Sequence, residues 1–282
     1  MNNRITIKED FLKNLNEFSK ELKDYVSDDD GGWKIKGFVN TENTIYGISS
    51  DTKIISKILE IQLLPKFKEF AKKTGYEIIL PEMQNWYPDI SFVNIQNPKI
   101  KFAVDIKTTY RLNDYDGFCN GFTLGSHGEY FKKRTSTKNI QFPYSEYISH
   151  ISLGCIYTRI SIEESRTFQS NELNKINPVI KDFVFFAEEK WKISSDKRGS
   201  GNTANIGSIQ YIDDILSGNG VFKNLGEEIF DEYWINYGHL KVSDPKNIGR
   251  YKKLSKLTEF LDHKGIPQMM ANRPKSKRKN KI

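Results

Sequence analysis

Residues 87–110 read YPDISFVNIQNPKIKFAVDIKTTY, and their reading decides the fold. Two apolar runs flank the short polar loop QNP, the pattern of a β-hairpin. Side chains alternate faces along a strand. Asp105 and Lys107 therefore share one face, and Phe102, Val104 and Ile106 share the other. A QNP loop sets Ile95 opposite Lys99, and the same register sets Asp89 opposite Asp105. The hairpin thus gathers two carboxylates and an ammonium on one face.

Two readings of that face stand. One is a solvated sheet edge carrying ordinary charges. The other is a metal site, because neighbouring carboxylates repel unless a cation separates them. Mg²⁺ prefers oxygen donors and is typically held by one or two carboxylates together with phosphate and water. Such an ion polarises a phosphodiester and acidifies its bound water. A lysine two residues on orients that water, takes its proton or stabilises developing charge.

Working outward, residues 9–26 place Phe11, Leu12, Leu15, Phe18, Leu22 and Tyr25 at helical spacing. DDDGGWK ends that helix, and WKIKGFVN and TIYGI read as a small hairpin around TEN. A second helix follows Ser50 or Asp51 as cap and stops at Gly75, with Ile54, Ile55, Ile58, Leu59 and Phe67 on its apolar side. Pro65 lies inside this pattern and predicts a kink or break. EIILP, EYISHISLGCIYTRI and DFVFFAEEKWKIS add strands, and NLGEEIFDEYWINY predicts a C-terminal helix. The order mixes hairpins and helices. It predicts an α/β (α+β) chain with a mixed central β-sheet flanked by helices.

Composition narrows the function classes. The chain of 282 residues is long enough for a substantial core. Its two cysteines, Cys119 and Cys155, support neither a disulfide framework nor a Cys-rich zinc site, so a cytoplasmic home is expected. No apolar run is long enough to cross a membrane, and no membrane partner is expected. His127, His150, His239 and His263 show no ligand spacing and read as surface or packing residues. No glycine-rich phosphate loop for a nucleotide cofactor is present. The net charge of +7 favours a polyanionic partner. Part of it lies in RPKSKRKNKI, residues 273–282, which reads as a disordered tail or as a DNA-contacting arm.

Beyond the hairpin, Asp89, Asp105 and Lys107 match the PD-(D/E)xK nuclease signature. Around them, from GISSDTK onward, YPDI, AVDIKTTY, GFTLG, TKNI, YTR, NELN and GSGNTANIGSI occur in order. With these motifs the chain resembles the EcoRV family of type II restriction endonucleases. The resemblance implies a restriction-endonuclease-like fold and a homodimer that cuts both strands of double-stranded DNA at a short palindrome. The site it implies is GATATC, cut to blunt ends. It implies Mg²⁺ as cofactor, with Mn²⁺ as substitute, and a cognate DNA methyltransferase in the same cell.

Residue roles follow from the same resemblance. Asp89 and Asp105 would bind the metal, and Lys107 would assist the attacking water. Glu60, which follows SDTK at the family spacing, would be an auxiliary metal or structural residue. The ten-residue loop GSGNTANIGS would enter the major groove, with Gly199, Gly201, Asn202, Thr203 and Asn205 as contact candidates. Glycines permit close backbone approach, and asparagine amides both donate and accept, which suits the base-edge code of that groove. Gln84 and Asn85 match a loop beside the minor groove, although Met83 and Trp86 replace family residues there. Lys138 matches a family lysine near the phosphates, and Thr108 and Thr109 match a TT pair that would contact phosphate or satisfy the end of a strand.

These roles set the domain expectation. One domain should cover residues 1–267, with about the first 60 residues contributing to dimer contact, followed by a basic disordered tail over 268–282. The competing classes are a catalytically inactive DNA-binding protein and a structure-specific repair or junction nuclease on the same core.

Overall fold

The structure is a computed structural model that describes residues 2–160, 167–199, 204–243 and 249–277. Helix α1 spans Asn2–Val26, longer at its start than the apolar spacing predicts. Phe11, Leu15, Phe18 and Leu22 are buried along it, while Leu12 and Tyr25 are partly buried. Strands β1 (Gly37–Val39) and β2 (Thr44–Gly47) form the expected hairpin, with Asn43 at φ 60° in its turn.

Helix α2 spans Thr52–Thr74. The Asp51 carboxylate accepts from the Lys53 and Ile54 amides, and Gly75 closes the other end at φ 79°. These are the expected caps. The chain does not break at Pro65. Pro65 is exposed and leaves the Ile61 carbonyl without an amide donor four residues on, on a face where Ile61 is 66% exposed. Water can satisfy that group, so the helix continues. Ile54, expected on the apolar side, is exposed, and Leu63, Phe70 and Ala71 extend that side instead.

The central sheet is built from β3 (Tyr76–Ile79), β4 (Ile90–Asn94), β5 (Lys101–Tyr110), β7 (Ser149–Arg159) and β9 (Ile180–Glu189), hydrogen-bonded in that order. Only the β5–β7 pair is parallel, so the sheet is mixed, as the sequence predicts. Between these lie β6 (Thr123–Ser126), the short helix α3 (Glu129–Lys132) and β8 (Thr167–Gln169). Strand β8 adds to the edge of β2, and β10 (Ser194–Arg198) pairs with β11 (Asn205–Ser208), which pairs in turn with β6. The remaining elements are α4 (Ile212–Leu216), α5 (Glu227–Asn236), β12 (Lys241–Ser243), β13 (Tyr251–Lys253) and α6 (Leu257–Lys264). Sequence patterning predicts α5 alone of the helices in this last part.

The two faces of the sheet carry separate cores. Phe102, Val104 and Ile106 pack with α1 and α2. Phe11 stacks on Phe102 at 3.9 Å and 2° between planes, a contact worth about 0.5–1.5 kcal/mol beyond burial. Ala103 faces the second core, with Phe131, Tyr144, Trp234 and Phe260. Asp105 and Lys107 share the parity of Ala103.

The first part of the segment expected as a tail makes contacts with the body. Among residues 268–277, Gln268–Met270 form a short 3₁₀ turn, and the Asn272 amide donates to the Val221 carbonyl at 2.9 Å. The Lys275 amide donates to the Asp214 carboxylate at 2.8 Å. Backbone bonds to the body hold this part in place. Residues 278–282 lie outside the described residues.

Candidate active site

The β4–β5 register pairs Ile90 with Val104. That is the register inferred from the QNP loop, and its continuation sets Asp89 opposite Asp105. The Asp89 amide donates to Asp105 Oδ1 at 3.3 Å, and the Ile106 amide donates to Asp89 Oδ2 at 2.7 Å. Lys107 Nζ lies 2.7 Å from Asp105 Oδ2 and 3.7 Å from Asp89 Oδ2. The three charges therefore meet, and Lys107 supplies the cation that keeps the carboxylates together.

Electrostatics separate their roles. Asp89 is pushed up to about 7, first by burial and then by Asp105 and Glu60, against the pull of Lys107 and the Ile106 amide. Its side chain is still 28% exposed, so an incoming cation can reach it. Burial alone would lower Lys107, but Asp105 and Asp89 outweigh it, and its ammonium holds its proton more tightly than usual. Lys107 is thus a charged donor in this arrangement.

Glu60 does not join the pair. Its carboxylate binds Lys57 Nζ at 2.7 Å. Among the described residues, no three His, Cys, Asp or Glu side chains form a cluster able to hold a metal. Two carboxylates remain, and the donor set is all oxygen. That fits a hard divalent ion such as Mg²⁺, which keeps several waters and takes phosphate oxygens alongside one or two carboxylates.

A second lysine lies behind the site and was not singled out from the sequence. EEKWKIS reads as the end of a strand, where a lysine would be solvated. Instead, a 3₁₀ turn over Lys190–Ile193 folds Lys190 inward. Its Nζ is buried without a hydrogen-bond partner among the described residues, 5.3 Å from the Phe131 ring and 5.5 Å from that of Tyr87. Burial chiefly lowers its pKa to about 8, while Asp105 and Asp231 oppose the shift. The Cβ of a residue replacing Gly125, at φ 94°, would sit 3.4 Å from that Nζ and 4.0 Å from Asp105 Oδ2. A glycine at 125 keeps this polar niche open. Tyr87, which stacks on Tyr130 at 5.3 Å, also approaches His150 Nδ1 at 2.9 Å. His150 and His127 are buried packing residues, distinct from the carboxylates.

The remaining candidates distribute as follows. Thr109 has the parity of Asp105 and Lys107, and its hydroxyl is buried with no hydrogen-bond partner among the described residues. Thr108 points to the opposite face. Gln84 and Asn85 are exposed in a turn closed by the Trp86 amide on the Met83 carbonyl at 2.9 Å. Lys138 pairs with Glu129 at 3.1 Å and is exposed. It lies beside the chain at 139–141 that bonds to both sides of Tyr87.

The glycine-rich loop springs from the β10–β11 hairpin. The Gly199 amide donates to the Asn205 carbonyl at 2.8 Å and closes it. A Cβ on Gly207 would meet the Lys197 carbonyl at 2.9 Å, so the stem requires glycine there. Gly201, Asn202 and Thr203 lie outside the described residues. Strand β11 pairs Asn205 with Ser126 of β6, one residue from Gly125. The loop is thereby joined by hydrogen bonds to the backbone beside Asp105.

Comparison with known proteins bears on the family of the chain. A family model described as restriction endonuclease EcoRV matches residues 29–265. The type II restriction enzyme EcoRV of Escherichia coli is 37% identical over 238 residues, which covers 82% of this chain and 95% of that protein.

Proposed function

The chain belongs to the EcoRV family of type II restriction endonucleases, and on that premise we propose that it cuts both strands of a short palindrome in a reaction dependent on Mg²⁺. GATATC with blunt ends is the proposed site and product, because the central loop residues Gly201, Asn202, Thr203 and Asn205 follow the family pattern. Its TA step is easily unstacked, which suits readout by bending. A homodimer, a cognate methyltransferase as functional partner and a cytoplasmic setting complete the proposal. Among the described residues no helix is long and apolar enough to cross a membrane.

The observation that carries the reading is the register setting Asp89 opposite Asp105, with Lys107 Nζ 2.7 Å from one and 3.7 Å from the other. Asp89 and Asp105 would hold the ion. When bound, that ion polarises the scissile phosphate and acidifies a water. Asp89 must lose its proton to bind it, and the Ile106 amide fixes the carboxylate in place. Lys107 keeps its proton here, so it serves first as a donor to a phosphate oxygen or to the developing charge. Glu60 acts through its field on Asp89 rather than as a direct ligand.

Digestion of a sequenced phage genome with Mg²⁺, followed by end mapping, tests activity, site and cut position together. Discrete blunt fragments at GATATC are expected. Asp105→Ala and Lys107→Ala should each lower the rate by about a thousandfold or more with circular dichroism unchanged. Undiminished cutting by either variant would overturn the site. Specific binding without cleavage in Mg²⁺ or Mn²⁺ would favour an inactive DNA-binding protein, and cutting governed by DNA structure a junction nuclease.

A further inference from the structure

Beside the recognition hairpin runs a groove of about 740 Å³. One wall is the stem of β10 and β11, and another is the segment 273–277. Its lining holds five cationic side chains, Lys197, Arg198, Arg273, Lys275 and Lys277, against one carboxylate, Asp196. Among the described residues none of the five forms an ion pair. All but Lys277 are exposed. Residues 273–277 also fall outside the range matched by the family model, which ends at 265.

The segment is ordered by contacts that leave its charges free. The Asn272 side chain donates to the Asn219 carbonyl at 2.7 Å, and the Lys275 amide to Asp214 at 2.8 Å. The Lys275 ammonium stands 4.1 Å from the centre of the Tyr211 ring, and that of Lys277 5.3 Å from Tyr115. Like charges held together on a fixed backbone repel. They favour a ligand that places several negative charges along a line.

We propose that this groove binds the sugar-phosphate backbone of duplex DNA flanking the palindrome. The inference rests on the reading of loop 199–208 as the base-contacting element. The groove runs along the stem of that hairpin, from Gly199 to Gln210. Lys275 and Lys277 lie at its far end, beside Tyr211 and Tyr115. The four residues of β11 rise about 3.3 Å each, so these cations stand roughly 13 Å beyond Asn205. Along one DNA strand that length spans about four base pairs. Phosphates beyond the base pairs read by the loop are therefore within their reach. Phosphate contacts of this kind position a protein and add affinity without reading sequence.

The test uses the full chain with Asp105→Ala, which removes cleavage, and compares it with the same chain carrying Arg273→Gln, Lys275→Gln and Lys277→Gln. Fluorescence anisotropy reads binding to duplexes of about 10 and about 30 base pairs centred on the site. On the long duplex the triple variant should bind about tenfold more weakly near 0.1 M salt, and its salt slope should flatten by up to about 3 per protomer. On the short duplex the two proteins should match. Equal affinity on the long duplex, or an equal loss on both, would overturn the inference. A long duplex without the site still reads these phosphate contacts, so an error in the proposed palindrome leaves a separate signature. Should the triple variant lose its thermal transition, Lys275→Gln with Lys277→Gln is measured the same way, and the same outcomes decide.

Discussion

Asp89 is the residue at which pH enters. Its carboxyl titrates near 7, pushed up first by burial and then by Asp105 and Glu60. The proton and a divalent ion compete for the same oxygens. Ion binding measured without DNA should be constant above about pH 8 and weaken about tenfold per unit below the titration point. The stability effect has a fixed sign. A carboxyl raised above its unfolded value favours folding while protonated, fully so below about pH 4. That contribution is lost as pH rises toward 7. In EDTA at pH 8, Asp89→Asn should therefore raise Tm by about 2–4 °C. No rise, together with an unchanged pH profile of ion binding, would refute the assignment. Asp89, Asp105 and Lys107 were legible in the sequence because strand parity and a three-residue loop fix their meeting locally. Lys190 was not legible. Its burial depends on a 3₁₀ turn and on Phe131 and Tyr144, which are distant in sequence.

At the scale of elements, α2 carries opposed devices in one helix. Pro65 removes an amide mid-helix, yet the helix is continuous because the freed carbonyl is on the solvated side. Pro65→Ala should restore that bond and raise stability by about 1–3 kcal/mol in urea denaturation. Gly75→Ala should do the reverse, by about 1 kcal/mol. A Cβ there meets nothing within 4 Å, so the cost is only that of holding alanine at φ 79°. A loss on Pro65→Ala would mean that the helix is bent there for packing. The caps Asp51 and Gly75 were readable because they act within a few residues. The continuity through Pro65 was not, since it depends on which face of α2 meets the core. Helix α6 escaped for a related reason: it is short, and its burial comes from neighbours such as Tyr233, 5.8 Å from Phe260.

At the scale of the molecule, a palindrome has twofold symmetry and is matched by a twofold dimer. The surface that would join two copies should be apolar and outside the catalytic face. The small sheet β1–β2–β8 carries such an apolar face. Phe38 and Tyr46, paired across β1 and β2 on one face, are 54% and 47% exposed, and Val39 on the other face is 64% exposed. Leu173, just beyond β8, adds a further exposed apolar side chain. Adjacent exposed aromatic and aliphatic groups on a sheet mark an interaction site more than a solvent face. This sheet lies largely in the first 60 residues, the part expected from the sequence to supply dimer contact, but β8 comes from more than a hundred residues later and was not foreseen there. Phe38→Asp with Tyr46→Asp should shift the protein from dimer to monomer in sedimentation velocity. Each protomer would keep its own Asp89, Asp105 and Lys107, so chemistry at one strand would remain possible at a reduced rate. Plasmid cutting should then pass through an accumulated nicked circle, whereas the unaltered protein should give linear product directly. A variant that remains dimeric and cuts both strands together would move the interface elsewhere on the surface.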